Sequence, residues 1–188
     1  VNLSPSAQND LEVAKIMALI PDRNWNEVKT QASSFLATKK NATRLQQARM
    51  KYALGAASLA SRDPNKALDY FAEALVLLHG SDENLGSASI TRSLDAYLRM
   101  PDVAQFLENS AVSAAVEARK HNPETVIPEM QMKTRPLNVK EAAALYRLHE
   151  LMFPDRKLPA KYDAFAVSYK NPSAGTAEQA PAEAEKKQ

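Results

Sequence analysis

The chain has 188 residues, 45% of them hydrophobic, and its 24 Lys and Arg against 22 Asp and Glu leave a formal net charge of +2. So small a charge, scattered along the chain rather than striped, gives no footprint for nucleic acid, and the absence of cysteine excludes disulfides and thiolate metal sites. No apolar run is long enough to span a bilayer, while four glycines and an Ala, Leu, Lys and Glu bias favour an all-α fold over a large sheet.

Residues 1–7 are expected to be flexible. The polar opening VNLSPSAQND, which begins on valine, suits the mature end of an exported bacterial protein. The periplasm or envelope is therefore the expected location, with the cytoplasm as the alternative. One helical domain is expected over residues 8–170. Its first helix is predicted from Asn9 to Ile20, with Leu11, Ala14, Ile16 and Leu19 near one face and Pro21-Asp22 ending it. A second runs from Asn24 to Lys39 on an apolar face of Trp25, Val28, Ala32, Phe35 and Leu36.

The stretch from Tyr52 to Gly80 reads as a helical hairpin almost residue by residue. Ala53, Gly55, Ala56, Ala57 and Ala60 thin the first helix so that a neighbour can approach closely. Asp63-Pro64 supplies an N-cap and a proline at the first helical position. Leu68, Phe71, Leu75 and Leu78 then recur three or four apart, and Gly80 stands where a left-handed C-terminal cap falls.

Gly55, Ala67, Phe71 and Ala74 hold the spacing of a tetratricopeptide repeat, which the hairpin over residues 48–80 resembles. It departs from that pattern at Lys51, Ser58 and His79, which stand where an aromatic, a tyrosine and a proline are usual. Trp25, Val28, Ala32 and Phe35 align with Pro64, Ala67, Phe71 and Ala74 at a constant offset of 39 residues, so the first pair reads as a degenerate repeat. The resemblance implies a right-handed array of stacked antiparallel hairpins whose first helices line a partner-binding face. Carried onto the matched repeat, that face would present Arg49, Tyr52, Ala56 and Leu59. Tyr52 and Ala56 stand where the lysine and asparagine of the family's carboxylate clamp would be, which disfavours recognition of a free acidic C-terminus.

Ser81-Asp82 offers a cap for a third hairpin, with Leu85, Ala88, Leu94, Tyr97 and Leu98 on its first helix. After Pro101-Asp102 a long alanine-rich helix carrying Val103, Phe106, Leu107, Ala111 and Ala118 is predicted to run to Asn122-Pro123. The proline-containing segment 122–137 is an extended strap, expected to lay Val126, Ile127, Met130 and Met132 over the helices or to bind a partner. Asn138 and Glu141 suggest a capping box for the next helix, and Pro159 opens a last short one with Tyr162, Phe165, Ala166 and Tyr169 at helical spacing. From residue 171 the Pro, Ala, Glu, Gln and Lys composition is that of a disordered tail.

No catalytic pattern stands out. His79, His121 and His149 are far apart, and HExxH, GxSxG and glycine-rich phosphate loops are absent from the sequence. No catalytic residue, cofactor or metal is therefore expected. The expected function is a non-enzymatic protein or peptide interaction module, an accessory part of a bacterial envelope assembly if exported. A self-associating helical subunit is the alternative, and an all-helical enzyme or small-molecule binder is the less favoured third class.

Overall fold

The computed structural model of the chain describes residues 4–127 and 135–168, and every regular element among them is helical. Helices α1 (Pro5–Ala18), α2 (Trp25–Thr38), α3 (Arg44–Ala60), α4 (Pro64–Leu78) and α5 (Glu83–Tyr97) come first. They are followed by α6 (Pro101–Leu107), α7 (Ser110–Arg119), α8 (Leu137–Met152), a 3-10 turn (Ala160–Tyr162) and α9 (Asp163–Ala166). Residues 1–3, Met130, Met132, Tyr169 and the tail from residue 171 lie outside the described residues.

Helix α1 begins at Pro5 rather than near Asn9. The Ser4 hydroxyl accepts the Ala7 N–H at 3.3 Å, and Pro5 takes the first helical position, where a missing N–H costs nothing. Each helix from α1 to α5 packs on the next, and α3 also touches both α1 and α5. The α3–α4 contact is the most extensive. Its centre is Phe71, fully buried, whose ring faces the missing side chain of Gly55: a Cβ there would stand 2.6 Å from Phe71 Cε1.

The first two hairpins share their turn as well as their apolar spacing. Arg23 (φ 56°) and Arg62 (φ 61°) are both left-handed, a conformation that disfavours non-glycine residues by roughly 1–2 kcal/mol. In the first turn Arg23 N–H donates to Ile20 C=O at 3.1 Å and Asn24 N–H to Leu19 C=O at 3.2 Å. In the second, Arg62 N–H donates to Leu59 C=O at 3.2 Å and Asp63 N–H to Ser58 C=O at 3.0 Å. All of these positions are related by the 39-residue offset that relates the buried Val28, Ala32 and Phe35 to Ala67, Phe71 and Ala74.

The repeat stops at α5. No left-handed residue follows it before Pro101, and the alanine-rich segment expected to form one long helix is divided into α6 and α7. The break has a local cause: the Asn109 side chain accepts the Ala111 N–H at 2.9 Å and caps a new helix. Helix α8, distant in sequence, packs beside α5 instead. It is seated by a second glycine–phenylalanine contact, since a Cβ on Gly86 would stand 3.1 Å from Phe153 Cζ.

Asn138 and Glu141 do not form the expected capping box. Pro136 occupies the N-cap of α8, which leaves Asn138 to donate to Asp102 at 2.9 Å and Glu141 to accept from the Tyr97 hydroxyl at 2.9 Å. Both residues thus tie α8 to the preceding helices. Burial, reinforced by Glu141, pushes the Tyr97 phenol far above its ordinary pKa, so it remains a donor. A capping box does form on α3 between Thr43 and Gln46, and Gln46 Nε2 also donates to Asp10 of α1 at 2.7 Å. Tyr162, Phe165 and Ala166 are buried against α5 and α8, and the start of the strap packs on the same end, with Ile127 N–H donating to Val167 C=O at 2.8 Å.

Phe71→Ala would empty a fully buried site and lower the unfolding free energy by about 3–5 kcal/mol. Gly55→Ala, which adds a methyl where the ring already stands, would lower it by about 1–3 kcal/mol. Urea unfolding monitored by circular dichroism measures both, and an unchanged midpoint in either variant would contradict this packing.

Candidate partner-binding trough

Two cavities open along α3 and α5 and meet at Arg92. The first, about 520 Å³, has Ala56, Leu59 and Ala60 of α3 as its floor. Ile20, Pro21 and Arg23 of the α1–α2 turn and Trp25 at the start of α2 form one wall, and Arg92 of α5 and Arg99 just beyond it form the other. The second, about 470 Å³, lies between Tyr52, the exposed side of α5 and the segment that carries Arg156, Pro159, Lys161 and Tyr162.

The four residues expected to form a binding face are only partly brought together. Ala56 and Leu59 lie in the first cavity at 7% and 3% exposure, so they shape its floor and offer little surface themselves. Tyr52 lines the second cavity while its ring leans on Phe71, the centroids 5.7 Å apart. Arg49 lines neither. Its guanidinium lies 3.6 Å from Asp82, the residue that caps α5.

The residues that sequence reasoning missed are the arginines. Arg92 and Arg99 are seven residues apart on and just beyond α5, so two helical turns bring them to the same side. That spacing is visible in the sequence, but which side it faces depends on the register of α5 against α3. Arg99 Nη1 donates to Leu59 C=O at 2.6 Å. Partial burial opposes the charge on Arg92, but hydrogen bonding to Tyr52 and the neighbouring Asp95 carboxylate outweigh it and raise the pKa above its ordinary value. Arg23 extends from its left-handed turn with no ion-pair partner among the described residues.

Asp95 organises the second cavity. It accepts from the Tyr162 hydroxyl at 2.8 Å and pairs with Arg92 at 3.5 Å and with Lys161. Burial is the main cause of the raised Tyr162 pKa, so the phenol keeps the proton it shares with Asp95. This arrangement pins the 3-10 turn Ala160–Tyr162 to α5.

Ser87, on the wall of this cavity, lies 2.8 Å from Nε2 of His149, which is 1% exposed. The two residues are far apart in sequence, and the pairing is created by α8 docking on α5. His149 Nδ1 is buried without a hydrogen-bond partner among the described residues. The imidazole therefore lacks the carboxylate that would orient it and stabilise its protonated form in a serine–histidine hydrolase. Burial first, and then the Arg156 charge, depress its pKa below the ordinary value. The contact, part-buried, ties α8 to α5. Among the described residues there is no cluster of three or more His, Asp or Glu side chains suited to a metal, and no helix long and apolar enough to cross a membrane.

Comparison with protein-family models, curated proteins and solved structures found no match.

The depressed His149 pKa sets a pH dependence. Below the unfolded-state value of about 6.5 the unfolded chain binds a proton that the folded chain resists, so stability present above that pH is lost as the pH falls toward the folded pKa. His149→Gln keeps a polar group opposite Ser87 but cannot titrate, and its stability would vary less with pH over that window. Chemical unfolding in a series of buffers compares the two slopes; equal slopes would show that His149 is not the group responsible.

Proposed function

We propose that the chain is a non-enzymatic protein–protein interaction module, a right-handed tetratricopeptide-repeat-like array that holds a segment of a partner protein in the trough over α3. The observation that carries this reading is the first cavity. Its floor of small and aliphatic side chains on α3 is open between the α1–α2 turn on one side and Arg92 and Arg99 on the other. The repeated turn supports the array, because the same left-handed arginine and the same pair of backbone hydrogen bonds recur at the 39-residue offset. Residues 156–162 cover part of α5 but leave Ala56, Leu59 and Trp25 lining open space.

A second reading, self-association, has its own observation. Helix α8 leaves Leu137, Leu148, Leu151 and Met152 exposed, with the last three on adjoining turns. Light scattering of the wild type and of Leu151→Glu separates the two: a dimer dispersed by that substitution would favour self-association, and a monomer in both would remove it.

Ala56→Trp tests the trough directly, since a large ring at the floor would occupy the first cavity. Proteins retained from the native organism by the wild type would be lost from the variant, while its melting temperature stays within a few degrees. Retention of the same proteins by a folded Ala56→Trp chain would overturn the proposal.

A further inference from the structure

We infer that the segment held in the trough is acidic, with carboxylates met by Arg23, Arg92 and Arg99 and an apolar side chain seated on Ala56 and Leu59. This inference rests on the interaction-module reading and specifies its partner. The carrying observation is an imbalance of charge that the whole chain does not share. Acids and bases are nearly equal overall, yet the lining of the first cavity contains three arginines and no carboxylate. Of the three, Arg92 has an ion-pair partner in Asp95 of the adjoining cavity, at 3.5 Å, as Lys39 has in Glu12 and Arg49 in Asp82. Arg23 and Arg99 have no such partner among the described residues. Arg99 directs one N–H to the Leu59 carbonyl, which anchors the guanidinium at the rim and leaves its other donors uncommitted.

Guanidinium groups grip carboxylates through paired hydrogen bonds, and a low-polarity floor strengthens that attraction. The bases of two of these cations are also held in place. Arg23 stands on a tight turn with its backbone fixed by a hydrogen bond to Ile20, and Arg92 is held by Asp95. An acidic polypeptide fits better than a nucleic acid. The first cavity has a single aromatic side chain, Trp25 on its wall, rather than a series of stacking rings over its aliphatic floor, and Asp95 stands in the adjoining cavity where a continuous polyanion would have to pass.

Trp25 lines this cavity and is the only tryptophan in the chain, so its emission reports occupancy without a label. The full chain is titrated with three short, terminally blocked peptides that alternate leucine with glutamate, glutamine or lysine, and with a single-stranded oligothymidylate. The glutamate peptide is expected to shift Trp25 emission at the lowest concentration, and to weaken as salt rises. Arg23→Glu and Arg99→Glu would each reduce its affinity about tenfold or more. Arg23 is exposed on a turn, so its variant remains informative if loss of the Arg99–Leu59 hydrogen bond impairs folding.

Equal or stronger binding of the glutamine or lysine peptide would overturn the acidic assignment while leaving the trough a docking site. Preferential binding of the oligothymidylate would replace it with nucleic-acid recognition. No response to any probe would also reject the assignment, and the Ala56→Trp capture would then decide separately whether the trough docks a protein at all. A change in Trp25 emission on removing residues 171–188, or on concentrating the chain alone, would assign the trough to the chain's own tail or to a second copy and overturn the inference.

Discussion

The contact between Phe71 and the bare backbone of Gly55 is the constraint around which the other packing arranges itself. Phe71 belongs to a small buried cluster with Leu59 and Ala67 that reaches Ala96 of α5, so this cluster joins three helices. To either side lie larger apolar clusters, one built from α1, α2 and α3 and the other from α5, α8 and the last turns. The close approach permitted at Gly55 sets the separation of α3 and α4. It thereby sets where α5 lies, and with α5 the arginines that face Ala56 and Leu59.

Much of the first half of the fold is written locally. Asp63-Pro64, the alanines of α3 and the four-residue steps from Ala67 to Phe71 and Leu75 each specify a helix boundary or a buried face without reference to distant residues. The offset relating Val28 and Phe35 to Ala67 and Ala74 likewise extends to the left-handed Arg23 and Arg62, whose conformation is not evident from residue type. The second half is less legible because its decisive contacts join distant segments. Asn138 and Glu141 have the spacing of a capping box, but partners on Asp102 and Tyr97 compete for them. Asn109 divides an alanine-rich stretch whose propensity favours one continuous helix, since a cap satisfies backbone groups that propensity does not count.

The candidate site shows the same division. The repeat resemblance proposes Ala56 and Leu59 for the binding face and both line the first cavity, but the charged rim is assembled from a turn before α2 and from Arg92 and Arg99 on and just beyond α5. A sequence with basic residues scattered along its length can still gather them in space. Arg23, Arg92 and Arg99 are separated by most of two hairpins, yet they face one cavity because α1 and α5 both pack on α3. Arg49, nearer in sequence to the floor, is committed to the cap of α5.

The docking of α8 on α5 also imposes an order of events. The α1–α2 and α3–α4 hairpins close over short turns, whereas α5, which ends at Tyr97, must wait for a partner that begins at Leu137. Loop-closure entropy disfavours such a distant pairing relative to a local one, so the early hairpins have the kinetic advantage. During synthesis α5 emerges before α8 exists, leaving Gly86 and Ile90 without their eventual cover until the ribosome has made the remainder of the domain. The wall formed by residues 156–162 is consequently the last part of the trough to be built, and a chain interrupted before Phe153 would present α5 as a sticky, half-clothed surface to its neighbours.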